Sequence, residues 1–210
     1  MKRVFMLIII TTITAWSLSA QGIDKPKRYR LKYGIMGGVN FANVEESPTP
    51  KVETKNLIGI NAGAFVTIPF DSTFSIQPEL LFSQMGATVS SNAFYNGDER
   101  LVLSYIDLPI LGKYYVSKSV GIFAGPQIGY LNSAIVKSAN STSLYPSNDF
   151  SSHVKKFDFR AIIGAEVYFS EVMYLSGRYQ LGLMNASNST DGVTDKNKAF
   201  TITLNFVLSH

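Results

Sequence analysis

The chain has 210 residues, of which 46% are hydrophobic and 16% charged, and it contains no cysteine. The lack of cysteine excludes a disulfide framework and thiolate metal ligands. The formal net charge of +4 arises at the amino terminus, since residues 1–32 hold seven basic residues and one acid and leave 12 basic and 14 acidic residues beyond them. With a net charge of −2, the remainder gives no indication of nucleic-acid binding.

The first 20 residues are typical of a secretory signal peptide. Two basic residues precede an apolar run, and small residues follow it, so we expect cleavage after Ala20 or after Ser19. The apolar run is shorter than the roughly 20 residues that a membrane-spanning helix needs. Residues 21–32 are predicted to form a basic linker, either solvated or lying against anionic headgroups. Residues 33–210 are predicted to form one domain.

Beyond the linker, apolar and polar residues alternate with a period of two through about eight segments. These segments lie near residues 33–42, 57–68, 74–83, 101–116, 120–131, 157–169, 173–183 and 200–208. One face of each segment is apolar, and the other carries Gly, Asn, Gln and charged residues. A tilted strand of about ten residues crosses a bilayer, and a membrane barrel places apolar side chains outside and polar ones in its lumen. The pattern predicts an all-β fold: a single transmembrane, antiparallel, up-and-down β-barrel.

The connections between the segments alternate in length. Short connections are expected at residues 69–72, 117–119 and 170–171, and long polar ones at 43–56, 86–100, 132–156 and 185–198. Outer-membrane barrels have short periplasmic turns and longer external loops. Both chain ends are therefore predicted on the periplasmic side, and the protein is predicted in the outer membrane.

Aromatic residues and prolines mark particular levels of the predicted strands. The aromatics expected at the two membrane interfaces are Tyr33, Phe41, Phe74, Phe82, Tyr114, Tyr115, Tyr130 and Phe169. Pro78, Pro109 and Pro126 fall within strands. Because a closed barrel has no free edge for a residue without an N–H, we expect each proline to mark a β-bulge.

Charged residues distinguish the membrane barrel from a soluble, lipocalin-like barrel, which encloses apolar side chains and presents polar ones to water. The charges share the polar faces of strands whose other faces are almost uncharged: Glu79, Asp107, Lys113, Arg160, Glu166 and Arg178. An eight-stranded lumen is just wide enough to be filled by side chains, and buried charges must pair. We predict that these six residues form a structural charge network, linked as one ladder of ion pairs. The alternative is that they line a narrow ion path.

Catalytic and metal-binding residues are sparse. His153, beside serines and an aspartate in the third long loop, and the terminal His210 are the two histidines available to a serine hydrolase site. Asp191, Asp195 and Asn197 lack the spacing of a calcium loop. We therefore predict no catalytic residues, no metal site and no cofactor. The third loop is the best candidate for an external contact.

Four segments, in order, resemble motifs of the PorT-like outer-membrane β-barrel family. They are YGIMGGVNFA at 33–42, SIQPELLFS at 75–83, YIDLPILGK at 105–113 and GIFAGPQIG at 121–129. The resemblance covers essentially the whole mature chain and includes the three prolines. It implies a small outer-membrane barrel of about eight strands. The family's namesake is similar to an accessory of protein secretion, whereas most members have no assigned activity.

The sequence as a whole predicts a non-enzymatic outer-membrane barrel with a structural or assembly and secretion-accessory role in the cell envelope. A surface binding protein that acts through its external loops is one alternative, and a narrow ion channel is another. The expected partners are outer-membrane lipid and envelope or secretion proteins, and no nucleic acid.

Overall fold

The computed structural model describes residues 30–47, 54–89, 99–138, 155–184 and 194–209. Eight strands follow one another in this described part of the chain: β1 (Lys32–Ser47), β2 (Thr54–Pro69), β3 (Phe74–Val89), β4 (Glu99–Tyr115), β5 (Val120–Ser138), β6 (Phe157–Tyr168), β7 (Met173–Gly182) and β8 (Thr194–Ser209). Within the same ranges, the structure contains no helix that is long and apolar enough to cross a membrane.

The eight strands close into one barrel. Each strand pairs antiparallel with the next in sequence, and β1 pairs with β8. Ile35 on β1, for example, lies opposite Ala64 on β2 and opposite Phe206 on β8. Closure gives every strand two neighbours, so no strand is left as an edge along the closed part of the sheet. The predicted up-and-down barrel is confirmed.

Alternation along each strand sets which side chains face outward. On β6, Ile163 is 62% exposed, whereas Arg160 is 1% exposed. The neighbouring Phe159 also faces outward, and Glu166 is buried. The apolar face of this barrel is therefore its outside and the polar face its lumen, which is the reverse of a soluble barrel.

Outward aromatic side chains lie at two levels. Tyr33 and Phe41 stand eight residues apart on β1, and Phe74 and Phe82 stand eight apart on β3. The nine-residue span matches the 9 to 11 residues that a tilted strand uses to cross a bilayer. Tyr115 is a correction to the expected set, because its hydroxyl lies 3.1 Å from the inward Ser75 Oγ and its ring therefore sits at the mouth of the lumen.

The long connections are shorter than predicted, because six strands continue past the outer aromatic level. β1 still pairs with β8 at Ser47 opposite Thr194, and β5 extends to Ser138. The long connections therefore reduce to residues 48–53, 90–98, 139–156 and 183–193. Backbone pairing outside the apolar band does not need alternating side chains, so the polar composition of these segments concealed the strands.

The three short turns are built alike. They cover residues 70–73, 116–119 and 169–172. In the first, Asp71 Oδ1 accepts hydrogen bonds from the backbone N–H groups of Thr73 and Phe74 at 2.6 and 2.7 Å. Ser117 Oγ and Ser170 Oγ accept from backbone N–H groups of their own turns. These side-chain bonds add to backbone bonds across each turn, such as Phe70 N–H to the Phe74 carbonyl at 3.0 Å and Ser117 N–H to the Val120 carbonyl at 3.1 Å.

The expectation that Pro78, Pro109 and Pro126 mark bulges was wrong. The register is the same before and after each proline, and the strands run on without an inserted residue. Each proline instead removes one donor from the ladder, and the strands on either side remain paired. The register shifts lie elsewhere: between Tyr33 and Gly34, between Asn56 and Asn61, and between Ser104 and Tyr105.

Candidate functional site

The lumen is the part of the molecule where polar and ionisable side chains converge. The structure buries all six charged residues singled out in the sequence, and none is more than 4% exposed. Each of the three basic side chains lies within ion-pair distance of an acid. The six residues do not form one continuous ladder; they divide into two groups at different depths.

The short-turn cluster lies toward the end of the barrel that carries the short turns. Lys113 Nζ is 2.7 Å from Glu166 Oε2, and Arg178 Nη1 is 2.6 Å from Glu79 Oε2. Gln77 joins the two pairs, since its Oε1 accepts from Lys113 Nζ at 2.9 Å and its Nε2 donates to Glu79 Oε1 at 2.8 Å. Two bases meet two acids, so the cluster is electrically balanced.

A group of tyrosines encloses the Lys113 ammonium. Its Nζ lies 4.9 Å from the ring centre of Tyr174 and 5.9 Å from those of Tyr115 and Tyr168. The Tyr168 hydroxyl donates to Glu166 Oε1 at 2.6 Å, and the Tyr168 and Tyr174 rings stack at 4.7 Å. Aromatic faces attract a cation that has lost its water. This tyrosine cage fills the short-turn end of the lumen.

The long-loop cluster centres on Arg160, near the end where the long connections lie. Its Nη2 is 2.7 Å from Asp107 Oδ1, and its Nε is 3.0 Å from Asp158 Oδ2. Asn197 Nδ2 donates to Asp158 Oδ2 at 2.8 Å, and the guanidinium lies 4.9 Å from the Tyr105 ring centre. Asp158 was not assigned to the network from sequence, although it shares the inward face of β6 with Arg160 two residues away.

On β4, β5 and β6 an apolar layer separates the two clusters. Leu111, Phe123 and Ile162 are buried together inside the barrel. Ile162 follows Arg160 and precedes Glu166 on the inward face of β6, so it lies between the two clusters on that strand. On β4 to β6 the lumen is therefore filled in three tiers: a charged tier, an apolar tier and a second charged tier. On β7, Arg178 and Gln180 occupy successive inward positions, and Gln180 Oε1 accepts from Arg160 Nη1 at 3.0 Å.

Metal binding and catalysis have little support among the described residues. Among the residues that the structure describes, no group of three or more His, Cys, Asp or Glu side chains could hold a metal ion. His153, His210 and Asp191 lie outside the described residues. Asn197 lies in the lumen beside Asp158 and not in a loop with the other residues of the calcium candidate.

Comparison with a family model shows the family of this barrel. The model for the outer membrane protein beta-barrel domain matches residues 19–188. The chain belongs to this outer-membrane β-barrel family. The outward apolar face is thus the face that meets the hydrocarbon of the outer membrane, and the short turns are periplasmic.

Two solved structures resemble the chain at low sequence identity. Neisserial surface protein A (NspA) is 10% identical, with a TM-score of 0.52 over 83% of this chain and 96% of that one. Ail of Yersinia pestis, solved with the heparin analogue sucrose octasulfate, is 13% identical, with a TM-score of 0.46 over 84% and 99%. The first likeness shows the fold alone, and the second is too distant to support an argument. No curated protein matches the sequence.

Proposed function

We propose that this outer-membrane barrel is non-conducting and non-enzymatic, with a structural or assembly and secretion-accessory role in the cell envelope. The observation that carries the proposal is the filled lumen, in which two charged clusters and an apolar layer occupy the inward faces of the strands. A pore that passes ions needs water or mobile groups along its length. Here the polar atoms that face the lumen are mostly bonded to one another.

The resemblance to the PorT-like family supports the structural or assembly and secretion-accessory role in this proposal. Its motif residues Gln77 and Glu79 belong to the short-turn cluster, and Asp107 belongs to the long-loop cluster. Gln127, from a third motif, donates to Gln180 inside the barrel at 3.3 Å. The polar residues of these motifs therefore pack the lumen, as a scaffold requires, and do not converge on an external surface. The partners of such a scaffold would be outer-membrane lipid and envelope or secretion proteins.

We include in the proposal that residues 1–20 are removed as a signal peptide, that residues 21–32 link the leader to the barrel, and that residues 33–210 are the outer-membrane domain. The leader lies outside the described residues, so the support for its cleavage is its sequence.

Planar-bilayer recording of the purified mature protein tests the filled lumen. The barrel is expected to give no steady unitary currents across a range of voltages, because the side chains of the tyrosine cage, the two charged clusters and the apolar layer occupy the lumen. A known porin, reconstituted in the same way, is the positive control. Steady single-channel currents that scale with protein concentration would instead establish the narrow channel.

A surface binding role is the second candidate. It is favoured by the extension of β1 to β5 and β8 past the outer aromatic level, which carries the loops away from the membrane. Deletion of the gene, followed by rescue, separates the two roles. A chain whose residues 139–154 are replaced by a short Gly-Ser linker should restore envelope integrity as well as the full chain does. If only the full chain rescues, the loops carry the function.

A further inference from the structure

The long-loop cluster contains two acids and one base, all of them buried. Asp107, Asp158 and Arg160 are each at most 2% exposed. The side chains that contact Arg160 or Asp158 from other described strands, apart from Asp107, are neutral: Met85, Tyr105, Gln180 and Asn197. Lys156 is exposed, and Lys198 lies between two inward residues of β8 and therefore on the outer face. With both carboxyl groups ionised, the cluster would carry one unbalanced negative charge.

Arg160 is bound more closely to Asp107 than to Asp158. Its Nη2 donates to Asp107 Oδ1 at 2.7 Å, and its Nη1 donates to Asp107 Oδ2 at 3.2 Å. This two-bond fork fixes the guanidinium against one carboxylate. Arg160 Nε lies 3.0 Å from Asp158 Oδ2, but its N–H forms no hydrogen bond with that oxygen. The single positive charge is therefore held by Asp107, and Asp158 is the unbalanced acid.

Asp158 also has one oxygen without a donor. Its Oδ2 accepts a hydrogen bond from Asn197 Nδ2 at 2.8 Å, whereas its Oδ1 is buried and accepts none. Gln127 Oε1, on the neighbouring strand β5, is likewise buried without a donor. A water molecule that donated to Asp158 Oδ1 would leave the negative charge in place. A buried carboxylate without a balancing charge is costly, and such a group is neutralised instead.

The surroundings of the cluster favour a proton over a metal cation. On the side of the long connections, buried apolar side chains cover the cluster, among them Met85, Leu103 and Leu131. At Gly129, an added Cβ would lie 2.6 Å from Asp107 Oδ1 and 2.5 Å from Arg160 Nη2, so the side chains already fill the space beside this glycine. A metal cation needs several oxygen ligands and room for them. A proton needs one oxygen and no added space.

We propose that the folded barrel binds one proton on Asp158 Oδ1, so that the long-loop cluster consists of a carboxylic acid, a carboxylate and a guanidinium and is electrically neutral. The proton is taken from water when the barrel folds and returns to water when it unfolds. The balanced short-turn cluster, with two bases and two acids, needs no such proton. The proposal depends on the geometry of the long-loop cluster and not on the envelope role proposed above.

The pH dependence of unfolding by urea, measured on the mature protein in lipid vesicles, tests the proposal. An aspartate in an unfolded chain releases its proton near pH ~4. Between about pH 5 and 7 the folded barrel therefore binds one proton more than the unfolded chain, and its stability falls as the pH rises. The unfolding equilibrium constant of wild type should rise about tenfold per pH unit relative to that of Asp158→Asn. Glu171→Gln, the matched control, removes an exposed carboxyl group from a short turn and should behave as wild type does.

Infrared spectroscopy at neutral pH detects the proton directly. Wild type and Glu171→Gln should show the carbonyl stretch of a protonated carboxylic acid, and Asp158→Asn should not. Asp107→Asn should also lose this band, because one acid then faces one base, and it serves if Asp158→Asn does not fold. The proposal is overturned by equal pH dependence in wild type and Asp158→Asn, by the absence of the band from wild type, or by its persistence in Asp107→Asn. Wild-type stability that instead rises with sodium concentration at constant ionic strength would assign the position to a metal cation. Envelope rescue and bilayer recording report on the proposed function and not on this proton.

Discussion

Gly129 shows how one missing side chain makes room for the long-loop cluster. It lies opposite Asp107 on β4 and Asp158 on β6. A Cβ at this position would sit 2.6 Å from Asp107 Oδ1 and 2.5 Å from Arg160 Nη2. Both contacts are far inside ordinary van der Waals separation, so the ion pair occupies the space that any other residue at position 129 would need.

We expect Gly129→Ala to destabilise the barrel by about 1–3 kcal/mol, the usual cost of overpacking a filled core. Gly37→Ala is the control, because its added methyl group points outward into open space. The free energies of unfolding, measured with urea in lipid vesicles, compare the two variants. Equal effects would mean that the Asp107–Arg160 pair adjusts without loss and that Gly129 is not required for it.

At the scale of an element, the three prolines show that a barrel strand tolerates a lost hydrogen bond without changing register. The antiparallel neighbours on both sides hold the strand, and the alternation of inward and outward side chains would be reversed by a one-residue slip. Such a slip would move Glu79 into lipid and Leu80 into the charged lumen. The cost of that exchange exceeds the cost of one absent ladder bond.

Pro78→Val restores the N–H that faces the Val66 carbonyl and supplies a β-branched side chain. We expect a gain of about 0.5–1.5 kcal/mol in the free energy of unfolding, the usual net value of one hydrogen bond. Leu80→Val, at the next outward position on β3, is the control, since it adds the branch without a new donor. A gain of the same size in both variants would attribute the effect to strand propensity and not to the restored bond.

The fold was predictable from sequence because each strand faces lipid on one side and the polar lumen on the other. Ile163 and Arg160 could be assigned to opposite faces from alternation alone, since lipid and lumen impose opposite requirements on them. Inward apolar residues such as Phe65, Phe123 and Tyr174 were missed, because an apolar side chain on the polar face carries no signal in the alternation. Tyr115 was misplaced because aromatic residues near a strand end occur on both faces.

At the scale of the whole molecule, the apolar layer on β4 to β6 lies between two charged clusters that should behave independently. Glu79 and Asp107 lie on neighbouring strands, yet they pair with different cations in different tiers. Mutations at separated sites usually add within about 0.5 kcal/mol, whereas residues of one network couple by about 0.5–3 kcal/mol. The two charged tiers can therefore be distinguished by the coupling energies of mutations as well as by distance.

We expect Glu79→Gln and Asp107→Asn to have additive effects on the free energy of unfolding, within about 0.5 kcal/mol. Glu79→Gln and Arg178→Gln should couple more strongly, because each single change leaves a buried charge without its partner. Two double-mutant cycles in the same lipid vesicles provide the comparison. Strong coupling between Glu79 and Asp107 would show that the two clusters act as one network across the apolar layer.

The sequence by itself determined the class of the molecule: the period-two alternation, the uncharged outer faces and the unequal connections specify an outer-membrane barrel. These features are local, and each follows from the solvent that a strand meets on its two sides. The tertiary structure alone decided which charges meet. Glu79 on β3 and Arg178 on β7 are 99 residues apart and lie on strands that are not neighbours. Their pairing depends on closure of the barrel, which brings distant strands face to face across a lumen only wide enough for their side chains.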